Sequence, residues 1–161
     1  MGIFFTGSEL VNIAIGIERS GAAFYDTLAK SARNEASRVI YEYLALEEKK
    51  HIEIFQNMLG SLADYAPPET YTEEYDRYLK ALIDSAVFRD DQTAREMAQK
   101  SASEAKAIQI AISAEKDSIL FYSNLRELVR RSDREAVDKI IEEERSHLRQ
   151  LSDLMKGFSK R

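Results

Sequence analysis

The chain has 161 residues, no cysteine and a net charge of −5, set by 23 basic and 28 acidic side chains. That length supports one domain with a core that needs no staples, and the missing thiols exclude disulfides, thiolate zinc sites and iron–sulfur clusters. Dispersed charge of both signs argues against a nucleic-acid ligand, and no apolar run approaches the roughly 18 residues of a membrane span.

Six glycines, two adjacent prolines and abundant Ala, Leu, Glu and Lys predict an all-helical protein. The first residues match a myristoylation pattern at Gly2 that is too short to be selective, and they lack the basic start of a secretory signal. A cytoplasmic location is expected, in keeping with the absence of cysteine.

The first predicted helix runs from a Ser8 N-cap to about Ala32, with an apolar stripe of Val11, Ala14, Ile15, Gly21, Ala22, Tyr25 and Leu28 interrupted by Glu18. The second starts after Asn34 and stops at Gly60, with Ile40, Leu44, Glu48, His51, Phe55 and Met58 on one face. Residues 61–102 then form a crossover that opens at Pro67-Pro68. It holds an amphipathic helix from Tyr71 to Phe88 and a shorter piece from Thr93 to Lys100. The third long helix, Ser103 to Arg130, carries Ile108, Ala111, Ile112, Glu115, Ile119, Tyr122 and Leu125. The fourth begins at a Ser132 or Asp133 cap and ends near Lys156, before Gly157; its stripe includes Val137, Ile140, Ile141, Glu144, His147 and Leu151. Hairpins over 8–60 and 103–157 with a long crossover between them make a single domain, a four-helix bundle.

The only two histidines both lie three places after a glutamate, in Glu48-x-x-His51 and Glu144-x-x-His147, 96 positions apart. With 18 glutamates in the chain, two such coincidences have a probability on the order of 1% by composition. Residues three apart share a helix face, so each pair aims a carboxylate and an imidazole at one point. Ala14-Ile-Gly-Ile-Glu18 with Phe24-Tyr25 also repeats as Ala111-Ile-Ser-Ala-Glu115 with Phe121-Tyr122, at an offset of 97. The chain therefore reads as two copies of one helical hairpin, with a pseudo-twofold axis that gathers both motifs in the core.

Each long helix then places one acid inside its apolar stripe: Glu18, Glu48, Glu115 and Glu144. Four inward carboxylates without partners would destabilise the bundle, at several kcal/mol per buried charge. Two divalent cations balance the four carboxylates, with His51 and His147 as neutral ligands. Tyr25 and Tyr122 follow Glu18 and Glu115 by seven residues and share the ligand face, where a phenol can hydrogen-bond a ligating carboxylate and fix its orientation. The flanking acids Glu47, Glu53, Glu142 and Glu143 are expected to be solvated. Phe24, Phe55 and Phe121 read as core, and Tyr65, Tyr71, Tyr75 and Tyr78 as packing or a subunit interface.

The six ligand residues with Tyr25 and Tyr122 resemble the rubrerythrin family of ferritin-like di-iron proteins, over about 110 residues of the four long helices. The resemblance implies a ferritin-like bundle and a carboxylate-bridged pair of iron ions that reduces hydrogen peroxide or dioxygen. Rubrerythrins usually add a four-cysteine rubredoxin domain and an extra metal-associated Glu one turn after the third-helix ligand. Here there is no cysteine, and Ser118 occupies that place. An external electron donor, either a rubredoxin-like protein or a small reductant, is therefore expected, as is a homodimer. Bacterioferritin shares the six-ligand pattern, but its haem-ligating Met is replaced by Lys49 and no fifth helix follows the fourth. Iron storage or ferroxidase activity is the alternative, and manganese or zinc are the alternative occupants, since N/O ligands do not select iron alone.

Overall fold

A computed structural model describes residues 4–62, 68 and 70–159, of Ser61 and Ser159 the backbone alone. They form six helices and no strand: α1 (Gly7–Ser31), α2 (Glu35–Leu62), α3 (Glu73–Asp84), α4 (Asp91–Lys100), α5 (Glu104–Leu125) and α6 (Arg131–Ser159). Gly2, Tyr65 and Pro67 lie outside the described residues. The long helices α1, α2, α5 and α6 build the bundle, and α3 and α4 occupy the crossover. Within the hairpins α1 packs on α2 and α5 on α6; α4 lies along α1.

Helix boundaries follow local chemistry. Thr6, not Ser8, caps α1: its hydroxyl accepts from Glu9 N while the Glu9 carboxylate accepts from Thr6 N, a reciprocal capping box. The Asn34 side chain accepts from Ala36 N and Ser37 N and opens α2. Thr72, Asp90 and Ser103 cap α3, α4 and α5. Gly60 and Gly157 do not end their helices. Neither backbone approaches another group, and each sits on the solvent side, so the only penalty is a helix-propensity loss of about 1 kcal/mol. The third long helix stops five residues early. Arg126 to Arg130 form a turn whose Leu128 and Val129 are buried, which kept the apolar pattern going past the helix end. The α3 helix is likewise shorter than the Tyr71–Phe88 stretch, because Ser85 ends it and Ala86 to Asp90 run on as a connection.

Two apolar clusters fill the bundle, one at each end. The first joins Leu10, Ala14, Phe55, Phe121, Tyr122, Leu128 and Ile140; the second joins Phe24, Tyr25, Leu44, Ala94, Ile108 and Leu151. Burial of each large side chain contributes roughly 1.5–3 kcal/mol. Between the clusters, at the middle of all four long helices, lies a buried polar layer. The crossover is tied over the bundle by side-chain hydrogen bonds: Tyr75 Oη to Asn124 Oδ1 (2.6 Å), Val87 N to Asp117 Oδ2 (2.9 Å) and Ser20 Oγ to Asp91 Oδ1 (3.2 Å). In this region the Tyr71 and Tyr75 rings meet edge to face and Tyr78 lies tilted against Tyr75, with Tyr71 buried and Tyr78 exposed.

Candidate metal centre

The polar layer consists of Glu18 from α1, Glu48 and His51 from α2, Glu115 from α5, and Glu144 and His147 from α6. None is more than 3% exposed. Each occupies a core position at helix mid-length, so the apolar stripe that drives the helix inward carries its polar member along. All six residues expected from the sequence thus converge.

They form two overlapping sets. Ligand atoms of Glu18, Glu48, His51 and Glu144 lie within 4.8 Å of one another, as do those of Glu48, Glu115, Glu144 and His147. Glu48 and Glu144 belong to both sets, whereas each histidine and each of the other glutamates belongs to one. His51 Nδ1 is 2.9 Å from Glu144 Oε1 and 3.4 Å from Glu18 Oε2. His147 Nδ1 is 3.6 Å from Glu48 Oε1 and 3.8 Å from both Glu115 Oε2 and Glu144 Oε1. These atoms are close without hydrogen-bond geometry, and every one of the six residues keeps at least one buried nitrogen or oxygen that has no hydrogen-bond partner. Buried polar atoms are normally satisfied, so convergent unsatisfied acceptors fit a pair of cations.

The electrostatics agree. Burial, then the charges of Glu144 and Glu18, push the Glu48 carboxyl well above its usual range. Burial, then Glu115 and Glu18, do the same to Glu144. Burial alone would lower His51, but the carboxylates of Glu144 and Glu18 outweigh it and raise the imidazole to about 11. Glu115 is held below its usual value despite burial, by contacts from Glu144, His147 and Tyr25. Protons thus occupy part of the place that cations would take.

Two tyrosines cross between the hairpins. Tyr25 of α1 donates to Glu115 Oε1 of α5 at 2.5 Å, and Tyr122 of α5 donates to Glu18 Oε1 of α1 at 2.6 Å. Burial and the adjacent carboxylates drive both phenols well above their usual values, which keeps them protonated donors. Each carboxylate is therefore fixed on one oxygen and leaves the other for the centre.

Two expectations, those for Glu143 and Glu47, were wrong. Glu143 is not a solvated bystander: its Oε2 lies 2.8 Å from His51 Nε2, the nitrogen that faces away from the centre. Its counterpart Glu47, 96 positions earlier, is also largely buried, but it pairs with Lys50 Nζ at 2.7 Å. His147 Nε2 has no hydrogen-bond partner, and the His147 ring meets that of Tyr43 edge to face, centroids 6.1 Å apart. The signal available in the sequence was the second imidazole nitrogen, which must point at a neighbouring helix once the first points inward. Glu142 is exposed and pairs with Arg145 at 3.4 Å, as expected of a surface acid.

A four-helix bundle whose helices each place a carboxylate, and two of them a histidine, around one buried point is the architecture of ferritin-like carboxylate metalloproteins. The rubrerythrin family profile matches residues 9–155, and the chain belongs to that family. Among solved structures, a protein from Thermotoga maritima described as a ferritin-like diiron-carboxylate protein is similar, with 27% identity and a TM-score of 0.69. The match covers 97% of this chain and 98% of that one. No curated protein matches the chain significantly.

Proposed function

We propose that the chain is a non-haem di-iron oxidoreductase that reduces hydrogen peroxide or dioxygen with electrons from an external donor. The observation that carries this reading is the set of convergent, unsatisfied ligand atoms on six buried residues. Glu18, Glu48, His51, Glu115, Glu144 and His147 are the metal ligands, with Glu48 and Glu144 shared between the two positions. Iron is favoured because the Thermotoga maritima neighbour is described as a diiron-carboxylate protein. When bound, two iron ions supply a reservoir of two electrons at adjacent centres.

The protein residues set the conditions for that chemistry. Tyr25 and Tyr122 hold Glu115 and Glu18 in orientation, each phenol staying protonated as a hydrogen-bond donor. The two apolar clusters exclude water from above and below, which strengthens every charge interaction in the layer. In this reading the donor is a separate rubredoxin-like protein or a small reductant, and the reaction takes place in the cytoplasm. We expect the working unit to be a homodimer.

Protein purified without added metal should contain about two iron ions per chain. Anaerobically reduced protein mixed with hydrogen peroxide or with dioxygen should develop ferric absorbance and retain both ions through repeated cycles. Hundreds of iron atoms held in a cage-sized particle would overturn this in favour of storage. Manganese or zinc in the purified protein, with no reaction towards either oxidant, would reject the redox role.

A further inference from the structure

A cavity of about 830 Å³ opens between α1, α5 and the connection from α3 to α4. Its inner end reaches Glu48 and Glu115, and its apolar walls include Ile17, Leu82, Val87, Phe88 and Phe121. The hydrogen bonds from Val87 N to Asp117 and from Ser20 to Asp91 hold the connection over it. Gly21 and Ser118 line the cavity from opposite helices, at positions 97 apart that the internal repeat equates. A Cβ on Gly21 would sit 3.0 Å from Glu48 Oε2. Ser118 folds its hydroxyl back onto Ala114 O at 3.1 Å rather than into the space. Two small residues thus keep the passage open beside the ligands.

The volume decides between classes of oxidant. A molecule of two oxygen atoms needs about the room of one water, some 30 Å³. The cavity exceeds that more than twentyfold and falls in the range of organic ligand sites, about 300–1,000 Å³. Its charge narrows the choice further, because Asp84, Asp90, Asp91 and Asp117 outnumber Arg19 and Arg89 in the lining and disfavour an anion.

We propose that the cavity takes the organic portion of an uncharged alkyl or aryl hydroperoxide, with its O–O group at the Glu48 and Glu115 end. This rests on the oxidoreductase reading above and names its substrate class. A hydroperoxide joins an apolar body to the oxidant itself, so no second oxidant is required. The O–O bond breaks, two electrons from the reduced centre and two protons from solvent are taken up, and one alcohol and one water form. The external donor then restores the two electrons.

The test pairs a redox reading with a binding reading. Reduced protein is mixed with cumene hydroperoxide and, separately, with hydrogen peroxide, and ferric absorbance is followed. Cumene hydroperoxide should react faster. Val87→Trp, which fills the cavity from its roof, should lower the ratio of the two rate constants by roughly tenfold or more. Zinc-loaded protein, which is redox-inert, should bind the product 2-phenyl-2-propanol with one site per chain in a calorimetric titration, and Val87→Trp should abolish that binding with metal content unchanged. Reaction with hydrogen peroxide but no preference for cumene hydroperoxide, together with no binding of the alcohol by the zinc protein, would overturn the hydroperoxide assignment and leave the oxidoreductase reading standing. If neither peroxide reacts, both fall, even where the alcohol binds. Should Val87→Trp not fold, the wild-type preference and the alcohol titration decide the matter by themselves.

Discussion

Glu143 reaches the outer nitrogen of His51, while Glu142, one residue earlier on α6, points to solvent beside Arg145. A carboxylate behind a ligating imidazole fixes its tautomer and raises its basicity, typically worth 10–100-fold in metal affinity. Glu143→Ala should therefore weaken binding of one ion of the pair by roughly that factor, and Glu142→Ala should leave it unchanged, as read by competition with a chelator. Equal affinities for the two variants would show that the contact carries no energy. The residues that face inward were legible in the sequence because periodicity reports which side of a helix is buried. Glu143 was not, because it lies one position off that stripe and reaches its partner across the gap between two helices. Helical periodicity within one segment carries no information on such a contact.

At the level of the helices, apolar stripes located all four long elements and the internal repeat paired them. The errors lie at the ends. The turn after α5 buries Leu128 and Val129, so burial continued where helix did not. Gly60 and Gly157 were read as stops, but neither takes the positive φ of a glycine that closes a helix, and the helix runs on through both. The glycines inside helices consequently differ in kind. Gly60→Ala adds a Cβ into open space and should stabilise the protein by up to about 1 kcal/mol in chemical denaturation. Gly21→Ala gains the same propensity but presses on Glu48 Oε2, and should lower metal affinity while Gly60→Ala does not. If Gly21→Ala binds metal as the parent does, the close approach is not a constraint.

For the whole molecule, the buried layer couples stability to pH. Glu48, Glu144 and His51 all have folded-state values raised above the ordinary ones, by their surroundings in the core. A raised value stabilises the fold below the unfolded pKa, near 4.3 for Glu and 6.5 for His, and that stability is lost as pH rises. For His51 the loss is complete only above about 11. The melting temperature of metal-free protein should thus fall from pH 5.5 to pH 9. That of the loaded protein should rise from pH 5.5 to 7, since protons compete with the ions. Two parallel curves would refute the coupling. Glu48→Gln should stabilise the metal-free form at neutral pH, because Gln is neutral in both states and the cost of holding a buried carboxyl against ionisation is removed.

The expected homodimer also belongs to this scale. Val39, Tyr43 and Leu46 form an exposed apolar stripe on α2, with Glu35 at one end and Lys50 at the other. A homodimer formed about a twofold axis crossing between Glu42 and Tyr43 would set Val39 against Leu46 of a second copy, an isologous apolar contact. Leu46→Glu should convert the dimer to a monomer in sedimentation with metal content intact. A wild-type protein that sediments as a monomer would remove the dimer from the proposal.

His51 is backed by a carboxylate and His147 by an aromatic ring, and so the two halves of a duplicated bundle are no longer interchangeable. A first ion would then have a preferred berth beside His51, the histidine that Glu143 backs. Protein given one equivalent of metal should be a single species rather than an even mixture, and two different metals supplied in turn should sort themselves by order of arrival. Such sorting would mean that a duplicated fold sets the order in which its centre is filled.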